Sequence, residues 1–191
     1  MSRLDDAPLV QPEERASWRA WLEANHATAA GVWLVMWRSG RGRGGLDYEA
    51  AIEEALCFGW VDGTAGRVDD ERGKLYFAPR KPRSGWAATN KARVERLIAE
   101  GRMRPAGLAA IERAKANGAW ELYDSVERLE IPDDLAAALA ARPPAAATFA
   151  GFPPSVRKQA LASVVLARRP ETRARRIAAI AAAAARGERP A

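Results

Sequence analysis

At 191 residues and 20.7 kDa, with 48% hydrophobic and 28% charged side chains, the chain is long enough for one generous domain or two small ones around a buried core. The single Cys57 and single His26 exclude an internal disulfide, a zinc knuckle and any multi-histidine metal centre, so no cofactor or metal is expected. Net charge is +6, and the apolar run from Ile177 to Ala185 is mostly alanine and too short to span a bilayer, which predicts a soluble, cytoplasmic protein.

Pro12, Glu13 and Glu14 suit a helix start, and Trp18, Trp21, Leu22 and Asn25 recur at helical spacing, so a helix is expected near 12–25. The β-branched and aromatic run from Val32 to Trp37 predicts a strand with Trp33, Val35 and Trp37 on one face. Asp47 can cap a helix with the inner stripe Tyr48, Ala51, Ile52, Ala55 and Leu56, closed by Gly59 in the left-handed region. Residues 64–69 and 74–79 flank the turn-forming Asp70-Glu71-Arg72-Gly73 and should pair as an antiparallel hairpin.

From Ser84 the pattern turns helical: Ala87, Asn90, Val94, Leu97 and Ile98 make one stripe ending at Gly101, and a second helix follows over Pro105–Asn117. Pro132 with Asp133 and Asp134 starts another helix, stopped at Arg142-Pro143-Pro144. Phe149 and Phe152 lead to Pro154, which opens a helix carrying Ala160, Leu161, Val164 and Val165; Pro170 opens the last, through Ile177 and Ile180. The expected fold class is α+β, mainly helical, with one small antiparallel sheet in the N-terminal half and a C-terminal helical module, divided as residues 1–128 and 129–191.

Charge is segmented. Residues 1–79 carry −4, 80–104 carry +6, 105–141 carry −4 and 142–191 carry +8. Either the basic and acidic blocks dock on each other, or the basic blocks share a face that attracts a polyanion or an acidic partner. Gly40-Arg-Gly-Arg-Gly-Gly45 satisfies G-x-G-x-x-G between a strand and a helix, but Asp47 follows at once and would both occupy the helix amides and repel phosphate. His26 is placed to hydrogen-bond the carbonyls ending the first helix, and Cys57 to be a buried packing thiol. The carboxylate pairs Glu53-Glu54, Asp69-Asp70 and Asp133-Asp134 point apart on their elements and make no catalytic dyad.

Two segments concentrate cations. In the first, prolines 79 and 82 stiffen Phe77-Ala-Pro-Arg80-Lys81-Pro-Arg83-Ser-Gly-Trp86, and Asn90 lies one turn beyond Trp86. It reads either as a pocket for a phosphate- or carboxylate-bearing group, with Asp62, Arg67 and Arg72 lining the same region, or as a fixed linker whose Trp86 plugs the core. In the second, Arg169, Arg173 and Arg176 fall at i, i+4 and i+7 on a helix, a ridge able to hold an acidic partner or to pair with Glu127, Glu130, Asp133 and Asp134.

The strings Leu46–Asp62, Phe77–Trp86 and Asn90–Met103, with Ile131-Pro-Asp-Asp-Leu135, Pro154-Ser-Val-Arg-Lys158 and Ala167–Ile177, resemble the bacterial YdeI/OmpD-associated, or bacteriocin-protection, family over nearly the whole chain. That resemblance implies stress or bacteriocin protection and, by the family name, association with an outer-membrane porin, with no established reaction or catalytic residues to transfer. The leading reading is a non-catalytic cytoplasmic binding protein of envelope or antimicrobial stress that holds an anionic small molecule or acidic protein surface through Arg80, Lys81, Trp86 and the 169–176 ridge. An enzyme or regulator with a phosphate pocket around Asp62, Arg72 and Trp86 is the second reading. Nucleic-acid binding, resting on a pI near 10.0 without a recognisable reading motif, is the third.

Overall fold

The computed structural model describes residues 6–38 and 45–190, and the chain falls into two units: residues 1–85 with 89–120, and residues 86–88 with 121–191. The first unit contains β1 (Leu9–Val10), α1 (Arg15–Asn25), β2 (Val32–Trp37), α2 (Tyr48–Cys57), β3 (Trp60–Arg67), β4 (Arg72–Pro79), α3 (Ala88–Ala99, from its second residue) and α4 (Pro105–Ala116). The strands form one sheet in the order β1-β2-β4-β3. β4 pairs antiparallel with both β2 and β3, whereas β1 runs parallel to β2, so the sheet is mixed rather than wholly antiparallel. β1 is two residues long, too short to show an alternation in sequence.

Cross-strand partners share a face, and Phe77 packs on Trp18 of α1, so the pairs Val32–Phe77 and Leu34–Leu75 look toward the helices. There Trp18, Leu22, Leu34, Leu56, Trp60 and Phe77 are fully buried, and Trp18 donates its indole N–H to the Ala51 carbonyl at 3.1 Å. Asp47 caps α2 by accepting from the Ala50 N–H at 2.7 Å. Gly59, at φ +74°, ends it as expected. α4 lies so close beyond it that a Cβ on Gly107 would come within 2.3 Å of the Cys57 carbonyl oxygen. Tyr48 and Ile98, expected on inner stripes, are instead about half exposed, each at a terminal turn of its helix. α1 begins at Arg15, not Pro12.

The second unit holds α5 (Asp124–Glu127), α6 (Asp133–Ala140), α7 (Ala145–Gly151), α8 (Pro154–Val165) and α9 (Pro170–Ala185). Val126, Leu135, Leu139, Phe149, Leu161, Val164, Ile177 and Ile180 form its core. α5 and α7 are absent from the sequence reading; the Pro143-Pro144 stop of α6 is followed directly by α7, with Pro144 as its N-cap. Among the described residues no helix is long and apolar enough to cross a membrane, and no cluster of His, Cys, Asp or Glu could hold a metal ion.

Candidate functional site

The residues singled out in the sequence separate into several environments. Phe77 is core, in tilted contact with Trp18 at 5.4 Å. Arg80 is buried and donates to the Gly85 carbonyl at 2.8 Å and the Ser84 hydroxyl at 3.5 Å. Trp86 is also buried, so neither of these two side chains is offered to solvent, whereas Lys81 is exposed. Asp62 accepts from the Tyr48 hydroxyl at 3.4 Å. Asn90 accepts from Arg93, whose other nitrogens grip both oxygens of Glu49 at 2.8 and 2.6 Å. That grip holds the Glu49 carboxyl below its ordinary range. Arg67 pairs with Asp70, and Arg72 with Asp69 at 2.6 Å and Gln11 at 3.0 Å.

Arg72 leads to the arrangement with the clearest chemical character. On the sheet face opposite α1 the ladder reads Trp33–Tyr76, Val35–Lys74 and Trp37–Arg72. Lys74 Nζ sits 4.4 Å from the centre of the Trp33 ring, and the Arg72 guanidinium carbon 5.9 Å from that of Trp37. Tyr76 meets Trp33 edge to face at 5.3 Å. An indole quadrupole attracts a cation and fixes its direction, at about 0.5–1 kcal/mol per exposed pair. Two cations on one strand are therefore aimed by aromatics on the next. A cleft of about 980 Å³ opens at the end of β2, lined among the described residues by Glu13, Glu14, Ser17, Val35, Trp37 and Leu46. The glycine-arginine loop at 40–44 lies outside the described residues.

A second charged constellation was set aside in the sequence because adjacent helical residues point apart. Glu53 and Glu54 are both buried. Arg15 reaches Glu53 at 2.5 Å and Glu54 at 2.6 Å, Arg102 reaches Glu54 at 2.5 Å and Glu53 at 3.4 Å, Arg19 adds a bond to Glu54 at 2.6 Å, and Arg96 pairs with Glu53. All four guanidiniums are committed, so the cluster ties α1 and the α3–α4 connection to α2 rather than presenting a reactive group. Cys57 on the same helix is fully buried, and burial foremost, then the Glu54 charge, pushes its thiol from 9.0 up to about 11. His26 Nδ1 lies 2.9 Å from the Leu22 carbonyl, the local role expected of it.

In the second unit, Arg173 forks onto both oxygens of Asp134 at 2.7 and 2.9 Å and reaches the Val164 carbonyl, while Arg176 donates to the Ser163 carbonyl. Both arginines thus satisfy carbonyls at the C-terminal end of α8, where the helix dipole is negative. Arg169 is exposed, and its side chain has no partner among the described residues.

Fold and site together define a class: an α+β chain whose N-terminal unit bears a basic, aromatic sheet face and whose C-terminal unit is a helical bundle. Residues 10–110, more than half of the chain, match the family described as Domain of unknown function (DUF8412), and the protein belongs to that family. Residues 128–187 match the family described as Bacteriocin-protection, YdeI or OmpD-Associated, so the C-terminal strings carry the resemblance seen in the sequence while the N-terminal strings fall in the other match. No curated protein and no solved structure matches the chain.

Proposed function

We propose that the protein is a non-catalytic, cytoplasmic binding protein of envelope or bacteriocin stress protection, and that it holds an anionic partner on the β2–β4 face of its N-terminal unit. The observation that carries this reading is the seating of Lys74 and Arg72 over Trp33 and Trp37. Lys74, stacked on Trp33, keeps its ammonium donors for phosphate or carboxylate oxygens, and the ring reduces the entropy lost when a ligand is gripped, whereas Arg72 is already paired with Asp69 and Gln11 and adds its charge beside Lys74. Arg72 is the member of the sequence-derived set placed there; Arg169, on the bundle, is the residue left to meet an acidic partner. The family description of residues 128–187 supplies the stress-protection part of the proposal.

Substituting Arg72→Gln and Lys74→Gln together removes both charges while leaving the core-facing pairs untouched. The double variant should elute from immobilised polyphosphate at markedly lower salt than the parent, with a thermal midpoint lower by no more than about 3 °C. Elution at the parent's salt concentration by a folded variant would remove this face from the function.

A further inference from the structure

Away from the basic face, one charge occupies a position where the sheet calls for an apolar side chain. Asp62 stands opposite Phe77 in the β3–β4 ladder, so it lies on the helix-facing side, two residues after the fully buried Trp60. It is half-buried, and its one side-chain bond among the described residues comes from the Tyr48 hydroxyl at 3.4 Å. A carboxylate so placed, with no cation bonded to it, costs stability, and a ligand that completes it explains its presence. The register irregularity between Asp62 and Ala65 follows it directly, and such bulges re-aim side chains beside sites.

Three other groups converge on it. Tyr48, the first residue of α2, is 54% exposed, and its ring meets no other ring or cation among the described residues. Burial, then the Asp62 charge, pushes its phenol above the ordinary value, so the O–H stays a donor. Asn90, in the first turn of α3, is half-buried and accepts from Arg93 through Oδ1 at 2.8 Å, which turns its amide nitrogen away with two N–H donors to offer. Arg93 is held above its ordinary pKa by its bonds to Glu49 foremost, with smaller contributions from Tyr48 and Asp62, so its guanidinium stands near both.

We propose that Tyr48, Asp62 and Asn90 form a binding site for a neutral saccharide, with the Tyr48 ring under the C–H face of a pyranose and Asp62 and Asn90 bridging two neighbouring hydroxyls. The C–H face of a sugar is apolar and faintly positive, and suits the negative face of an aromatic ring. The polar groups select the ligand class. An anion is repelled by Asp62, and a cation by Arg93 and the amide donors, whereas a hydroxyl both donates and accepts. The Arg93–Glu49 fork cancels its own charge and fixes Asn90 in place. One ring on an open patch gives an affinity in about the millimolar range. Asp62 is on the opposite side of the sheet from Lys74 and Arg72, so this site is independent of the anion-binding face.

The test is saturation-transfer NMR on the full chain with the methyl glycosides of glucose, galactose, mannose and N-acetylglucosamine, and with choline and inorganic phosphate as cationic and anionic competitors. At least one glycoside should receive saturation on the C–H protons of one ring face, and neither competitor should displace it. Tyr48→Phe keeps the ring and should bind within about threefold of the parent, while Tyr48→Ala and Asp62→Val should each abolish the signal. Asp62→Val should also melt no lower than the parent, because valine suits the helix-facing position. A silent panel, displacement by choline or phosphate, parent-like binding by Tyr48→Ala or Asp62→Val, or a marked fall in the Asp62→Val midpoint would each overturn the proposal. Should Tyr48→Ala lose its helical circular dichroism, Asp62→Val decides alone.

Discussion

At the scale of single residues, the decisive contrast is between charges that are buried together and charges that meet in water. Glu54 is fully buried and faces Arg15, Arg19 and Arg102. Replacing it by Gln removes the anion and leaves three guanidiniums partly desolvated, which costs about 3–5 kcal/mol. For a chain of this length that lowers the thermal midpoint by roughly 6–20 °C. Glu49→Gln removes an equally well-formed fork with Arg93, but the carboxylate is half exposed, and the loss should stay within about 1 kcal/mol. Equal losses in a calorimeter would show that the buried cluster contributes nothing special. The sequence showed Glu53-Glu54 as a pair yet gave no sign of their burial, because a helical stripe assigns faces and not the long side chains that close over them. The packing roles of Cys57 and His26, by contrast, were legible from their single occurrence and local setting.

At the scale of elements, glycine and arginine settle how close helices come and what ends them. Gly107 lets α4 press on the end of α2, where a Cβ would meet the Cys57 carbonyl oxygen at 2.3 Å and its carbon at 2.8 Å. These are backbone atoms and cannot swing aside. Gly107→Ala should therefore destabilise the first unit by about 1–3 kcal/mol even though alanine is the better helix former, measured as a fall in the urea midpoint with the slope unchanged. A stabilised variant would contradict the close approach. Most element boundaries were legible because their signals are local: the Asp47 cap, the Gly59 stop, the proline starts of α4, α8 and α9. β1, α5 and α7 were not, since elements of two to seven residues carry too few turns or alternations for a period to show. The basic-aromatic face lay half in view. Trp33 and Trp37 were placed together on one face, but only the cross-strand register sets Lys74 and Arg72 over them.

At the scale of the whole chain, cations of each basic block pair with carboxylates of the acidic block that precedes it. Arg93, Arg96, Arg102 and Arg104 pair with Glu49, Glu53, Glu54 and Glu23, and Lys158 and Arg173 with Glu127 and Asp134. Of the two readings of segmented charge, internal docking therefore accounts for these six cations. The same pairings bear on where the C-terminal domain begins. A division between residues 128 and 129 separates the bundle from Val126, which belongs to its buried core, and from Glu127, which holds Lys158 at 2.5 Å. A fragment of residues 121–191 keeps both; one of residues 129–191 exposes the cavity left by the valine and frees Lys158, a loss of about 1–3 kcal/mol. The longer fragment should melt cooperatively, with the shorter one melting at least about 5 °C lower or without a sharp transition. Arg173 holds the Asp134 carboxyl below its ordinary value of 3.8, and that contribution is complete above the ordinary value and fades as pH falls through the depressed one. Both fragments retain this pair, so they should lose stability in parallel on acidification below pH 3.8, and a gap that closed there would assign the difference to charge instead of to Val126.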